Sequence, residues 1–157
     1  MYYFFLDRLL LPIPPSAVTM RIAGSNKTVR LIDDSEINII KNPGLTEVTF
    51  EFMIPSRDYP FATYGSRSLS ASDIFSYLEL LKTQKLPFQF IVSRMAGNKL
   101  TFNTNLKVTL EDYDIKESAD YGFDQMVSVQ LKQYRDYCTK TLKVDKNGKA
   151  TVEKSRR

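Results

Sequence analysis

The 157-residue sequence has no histidine, no tryptophan and one cysteine, Cys138. Without histidine the usual general base, the Ser-His and Cys-His nucleophile pairs and most transition-metal sites are missing together. A lone cysteine excludes an intrachain disulfide framework and fits synthesis in a reducing compartment. Only Lys140 lies near Cys138 to lower its thiol pKa, so the thiol reads as inert. The apolar start, Met1 to Pro12, has no basic region before it, is broken by Asp7 and Arg8, and offers no small-residue cleavage site. It is also too short to span a bilayer. It reads as a buried strand and turn of a chain made without a signal peptide. The expectation is a protein that is not an enzyme, with no catalytic residue, cofactor or metal.

What is present points to a packed β-rich body. Hydrophobic residues make up 43% of the chain, enough for a core, and ten Phe and nine Tyr sit among β-branched neighbours, which favours strands. The formal charge of +4 is unevenly placed. Residues 138–157 hold seven of the 22 cations and two of the 18 anions, a net of +5; residues 1–137 keep 15 against 16. A nucleic-acid-binding domain carries its cations on the fold, whereas here they lie in the last twenty residues.

Periodicity and turn chemistry divide the chain further. Strands are expected at Tyr2–Leu6, Ala17–Ile22, Thr28–Ile32 and Glu36–Ile40, with turns at the Pro12/Pro14/Pro15 cluster, Asp33-Asp34-Ser35 and Asn42-Pro43-Gly44. The clearest strand is Glu47–Ile54, where Val48, Phe50, Phe52 and Ile54 alternate with polar residues. Pro55–Ser68 reads as a long loop suited to interaction. Ser70 with Asp73 makes a capping box for one helix over 70–84, with Ile74, Phe75, Leu78 and Leu81 at helical spacing. Phe88–Ser93 and Leu100–Ile115 are strands joined by a turn at Ala96-Gly97-Asn98-Lys99. The apolar phase shifts from Leu110 to Tyr113, which implies a bulge near Glu111-Asp112. A turn at Ser118–Gly122 leads to the last long strand, with Val127, Val129 and Leu131 on one face. Residues 1–137 thus read as one mainly β domain, and 138–157 as a basic hairpin or linker folded around Asn147-Gly148.

Few groups invite chemistry. Glu111, Asp112 and Asp114 cluster beside the bulge, with Asp112 and Asp114 on one face, and solvated strand positions explain them more simply than a carboxylate pair. Tyr64-Gly65-Ser66 is not a nucleophile elbow, and Gly24-Ser25-Asn26-Lys27-Thr28 is not a phosphate-binding loop.

Several segments together carry a resemblance. They are Met1-Tyr2-Tyr3-Phe4-Phe5-Leu6-Asp7, Leu10-Leu11-Pro12-Ile13-Pro14-Pro15-Ser16, Lys27-Thr28-Val29, Glu36–Lys41 and Pro43–Glu47. Pro87–Arg94, Val108–Tyr113, Gly122-Phe123-Asp124 and Leu131–Tyr137 follow in order. Up to its basic end the chain resembles the N-terminal region of LysM-containing baseplate proteins of contractile phages, defective phage particles and phage-tail-like bacteriocins of Gram-positive bacteria. No LysM repeat is recognisable within it. The resemblance implies an antiparallel β-barrel or sandwich of the tail-tube type with one packed helix. It also implies a structural hub adaptor joining inner tube, central hub or spike and the wedge or sheath initiator, self-associated as a hexameric ring and assembled into a tail particle.

Ring assembly requires faces between subunits, and edge strands are natural ones. The candidate contacts are Tyr2, Tyr3, Phe4 and Phe5 of the first strand, Tyr59, Phe61 and Tyr64 of the long loop, and Gly97 and Asn98 of the hairpin turn. Lys143, Lys146, Lys149, Lys154, Arg156 and Arg157 are the candidate tether to a further domain. The alternative is a nucleic-acid-binding β-barrel that uses the basic tail. It is disfavoured because the tail lacks interleaved aromatics beyond Tyr134 and Tyr137. No membrane or small-molecule partner is expected.

Overall fold

The computed structural model describes residues 2–64, 69–97, 99–144 and 150–156. Among these residues eleven strands and one α-helix follow in order: β1 (Tyr2–Leu6), β2 (Leu9–Leu10), β3 (Val18–Ile22), β4 (Lys27–Arg30), β5 (Glu36–Ile39), β6 (Thr46–Ile54), α1 (Ala71–Gln84), β7 (Phe88–Ala96), β8 (Lys99–Glu117), β9 (Gln125–Gln133), β10 (Cys138–Val144) and β11 (Ala150–Arg156). Seven strands make one sheet in the order β2-β1-β7-β8-β9-β6-β3, and every pairing in it is antiparallel. The pairs β4-β5 and β10-β11 stand as separate two-stranded sheets.

The sheet is strongly rolled. Strands β6 and β7 are separated by β8 and β9, about 14 Å in a flat sheet at ~4.8 Å per strand. Yet the rings of Phe50 on β6 and Phe90 on β7 stack with centroids 5.5 Å apart. The inner face therefore curls onto itself, and Phe52, Phe90, Leu6, Ile54 and the valines of β6 to β9 are fully buried within it. The roll stops short of closure. The edges carrying β1 and β3 face each other across a groove of about 410 Å³ lined by Tyr2, Phe4, Pro14, Pro15, Val18 and Arg94. Of the two architectures expected, the closed barrel is not formed among the described residues; the result is an open, rolled antiparallel sheet.

Helix α1 covers the inner face. Ser70 accepts from the Asp73 backbone while the Asp73 carboxylate accepts from the Ser70 backbone, the reciprocal cap expected from the sequence. Lys85 ends the helix in a left-handed conformation. Ile74, Leu78 and Leu81 enter the core, where full burial stabilises by roughly 2 kcal/mol per side chain. Tyr77 ties the helix to the β1–β2 turn by donating to the Asp7 carboxylate at 2.9 Å. Burial, followed by that bond, raises the Tyr77 phenol above its ordinary value.

Strand β8 organises the sheet by stagger. Residues 99–108 pair with β7, residues 108–117 pair with β9, and the two sets overlap only at Val108. The register shifts between Leu110 and Asp112, placing the bulge where the apolar phase change required it. Beyond the bulge Tyr113 and Ile115 stand opposite the inward-facing Val129 and Val127. The strand thus keeps an apolar inner face from Leu106 to Ile115 despite its broken alternation.

Candidate assembly surfaces

Strand β1 alternates, so its four aromatic candidates divide. Phe4 is buried in the core, which removes it from the surface offered to a partner; Tyr3 and Phe5 are half-buried and Tyr2 is exposed. Tyr2 stacks on Phe4 at 6.4 Å and lies under the Arg94 guanidinium, 5.9 Å from its ring. The same guanidinium lies 5.2 Å from the Phe102 ring and donates to Thr104 at 3.0 Å. Tyr2, Arg94 and Phe102 share the parity of the inward-facing Phe4, Val92 and Leu106 on their strands. They extend the inner face past the core, where β9 no longer covers β8.

The long loop is built around one residue. Asp124 accepts from the Ser56 backbone at 2.7 Å, the Ser56 hydroxyl at 2.8 Å and the Tyr59 hydroxyl at 2.6 Å. Burial alone raises a carboxyl pKa; here the Ser56 and Tyr59 bonds, with Arg57 nearby, outweigh it and hold Asp124 below its ordinary value. Tyr59 stacks on Phe61 at 5.0 Å, and the Arg57 guanidinium lies over the Tyr59 ring. The Tyr64 hydroxyl accepts from the Tyr59 backbone at 3.0 Å, and Thr63 donates to the Pro12 carbonyl at 2.7 Å. Tyr59, Phe61 and Tyr64 are therefore brought together in an ordered loop, with Phe61 facing solvent.

Gly97 stands in the β7–β8 turn with φ +62, a conformation that suits glycine. Asn98 lies outside the described residues. Lys143, Lys154 and Arg156 fall on β10 and β11, which pair from Cys138–Arg156 to Val144–Ala150, so strand structure runs further than the short hairpin expected. Lys146, Lys149, Arg157 and the Asn147-Gly148 turn lie outside the described residues.

The carboxylate cluster divides as expected. Asp112 and Asp114 pair opposite Gln130 and Ser128 on one face, while Glu111 occupies the bulge and accepts from Thr109. Asp112 is engaged by Lys82 at 3.3 Å with both side chains exposed. No group of three or more metal-ligating side chains occurs among the described residues, and none of their helices is long and apolar enough to cross a membrane.

Sequence reasoning missed two features. The first is Asp124, which lies in a turn where no periodicity marks a buried carboxylate. The second is that β4 and β5, both expected as strands, pair only with each other and stand apart from the main sheet as an arm. Gly44 donates to the Ala23 carbonyl at 2.8 Å, so close that a Cβ on Gly44 would stand 3.2 Å from that oxygen. Lys41 donates to Asn26 at 3.0 Å. Arg135, just past β9, donates to the carbonyls of Pro43 and Gly44 at 3.2 and 3.0 Å, clasping the arm's base. The Ile37-Asn38-Ile39 alternation was its sequence signal.

No family model matches the chain. The uncharacterized protein YqbP of Bacillus subtilis (strain 168) is 26% identical over 143 residues, which is 91% of this chain; the chain spans only 62% of that relative's length. Two solved structures share the fold. A chain of the PVC sheath/tube terminator of an extracellular contractile injection system, in the extended state, superposes with a TM-score of 0.56 over 85% of this chain and 89% of its own, at 14% identity. A chain of the PVC sheath-tube complex, also extended, gives 0.56 over 85% and 84% at 11% identity. The fold of this chain, mainly antiparallel β with one helix, is thus one found in contractile injection particles.

Proposed function

We propose that this protein is a structural subunit of a contractile tail or injection particle, in which it acts as a hub adaptor between inner tube, central hub and wedge. The observation that carries the reading is the shared fold, which extends over 85% of the chain. The surfaces suit the role. The outer edge of β3 has no strand partner among the described residues and can pair with a neighbour, and the Asp124-held loop exposes Phe61. The protein is not an enzyme in this reading: it works by being held on several sides in a hexameric ring. The basic C-terminal segment, with Lys143, Lys154 and Arg156 on a sheet that pairs with itself, serves as the tether.

Native mass measurement of the purified chain, alone and with the tube and hub proteins of its particle, tests this reading. A ring-sized oligomer that gains mass with both partners is expected. A persistent monomer indifferent to both refutes it.

A further inference from the structure

Among the described residues, the β4–β5 arm exposes a set of aliphatic side chains. Cross-strand register puts Val29 opposite Ile37 and Lys27 opposite Ile39, while Thr28, Arg30, Glu36 and Asn38 take the other face. Ile37 and Ile39 are two-fifths exposed, Ile40 is 83% exposed and Ile32 is fully exposed. Ile37 and Ile39 leave aliphatic surface in water on the Val29 face, with Ile32 and Ile40 beyond the paired residues at the tip and base of the arm, and exposed apolar surface of this kind marks an interaction site. A two-stranded hairpin is marginal in water by itself. This one is held at its base by Arg135, Gly44 and Lys41, and its register is fixed along four residue pairs.

The same chain carries a surface of matching character. Tyr2 and Phe102, 53% and 64% exposed, flank the Arg94 guanidinium on the uncovered end of the inner face. Charge distinguishes the two surfaces. The turn at the arm's tip holds two anions, Asp33 and Asp34, the second in an ion pair with Arg30. Arg94 and Lys99 are the cations at this end of β7 and β8, and residues 86–110 contain no anion; Lys107, on the other face of β8, is paired with Asp136.

We infer that the β4–β5 arm of one copy docks its aliphatic face and acidic tip on the Tyr2–Arg94–Phe102 shelf of a second copy of this chain. Two different patches on one chain make a heterologous contact, and such contacts close into rings when the rotation permits. The inference deepens the ring reading above and rests on it.

Sedimentation velocity of the full chain in low salt, across a concentration series, tests the docking. Asp34→Lys and Arg94→Glu are each expected to weaken association by at least about tenfold, because each sets like charges together at the contact. Combining the two substitutions in one chain restores opposite charges across the contact, with their signs exchanged, and should recover most of that loss. Lys99→Glu, at the exposed hairpin turn, gives a smaller loss and guards against misfolding of the Arg94 variant. A wild-type oligomer that ignores all these reversals, or a double variant as weak as the singles, overturns the docking and leaves the ring. A wild type that is monomeric at every concentration overturns both. Association only with another component of the particle refutes a second copy as the arm's partner.

Discussion

Replacing Asp124 should loosen the long loop, and its cost follows from the bonds described. The carboxylate accepts three hydrogen bonds, two from Ser56 and one from Tyr59. Bonds to a charged acceptor contribute about 1.5–3 kcal/mol each when both partners are buried, and water at this partly exposed loop recovers some of that. Asp124→Ala should therefore cost about 3 kcal/mol. With a urea slope of about 2 kcal/mol/M, the unfolding midpoint falls by roughly 1.5 M. The pH dependence has a definite sign. The folded-state pKa of Asp124 is depressed, so its stabilisation is fully present above the unfolded carboxylate value of about 3.9 and is lost as pH falls through the folded value. Urea titrations of wild type and Asp124→Asn should give a gap that is constant from neutral pH to about pH 5 and narrows in more acidic solution. An Asp124→Ala variant as stable as wild type, or a gap that widens on acidification, would refute the reasoning.

Three further outcomes are expected. Phe90→Ala removes a fully buried ring stacked on Phe50 and should cost about 3–5 kcal/mol, read as a fall in thermal midpoint; a cost under about 1 kcal/mol would mean that the sheet is not rolled as described. Ser70→Ala removes the reciprocal cap of α1 and should cost about 1 kcal/mol, with faster hydrogen exchange confined to the first helical turn. Arg135→Ala frees the base of the β4–β5 arm, so amides from 23 to 44 should exchange faster while those of β7 and β8 keep their rates; unchanged exchange in the arm would show that the clasp does not hold it.

Much of the fold was legible because its signals are local. The Val48–Ile54 alternation, the Ser70–Asp73 box and the phase change at Glu111 each specify a backbone feature within a few residues. Each appears where expected. Closure was not legible. Whether the sheet meets itself depends on the spacing between β1 and β3, a tertiary feature, with Pro14 and Pro15 lining the groove between them. The placement of the candidate contact residues was legible only in part. Composition marked the aromatics of β1 without saying that Phe4 turns inward, since strand parity relative to the core is a tertiary fact. Asp124 stayed hidden because its partners Ser56 and Tyr59 are more than sixty residues away. The β4–β5 arm read as two ordinary strands because nothing local distinguishes a covered aliphatic face from an open one.

A reconstruction of the particle that contains this chain tests the central claim most directly. The account predicts a closed ring of copies coaxial with the tube, with each β4–β5 arm lying on the Tyr2–Arg94–Phe102 shelf of its neighbour. Density for single, separated copies at the particle's periphery, or a complete particle that lacks the chain, would contradict it.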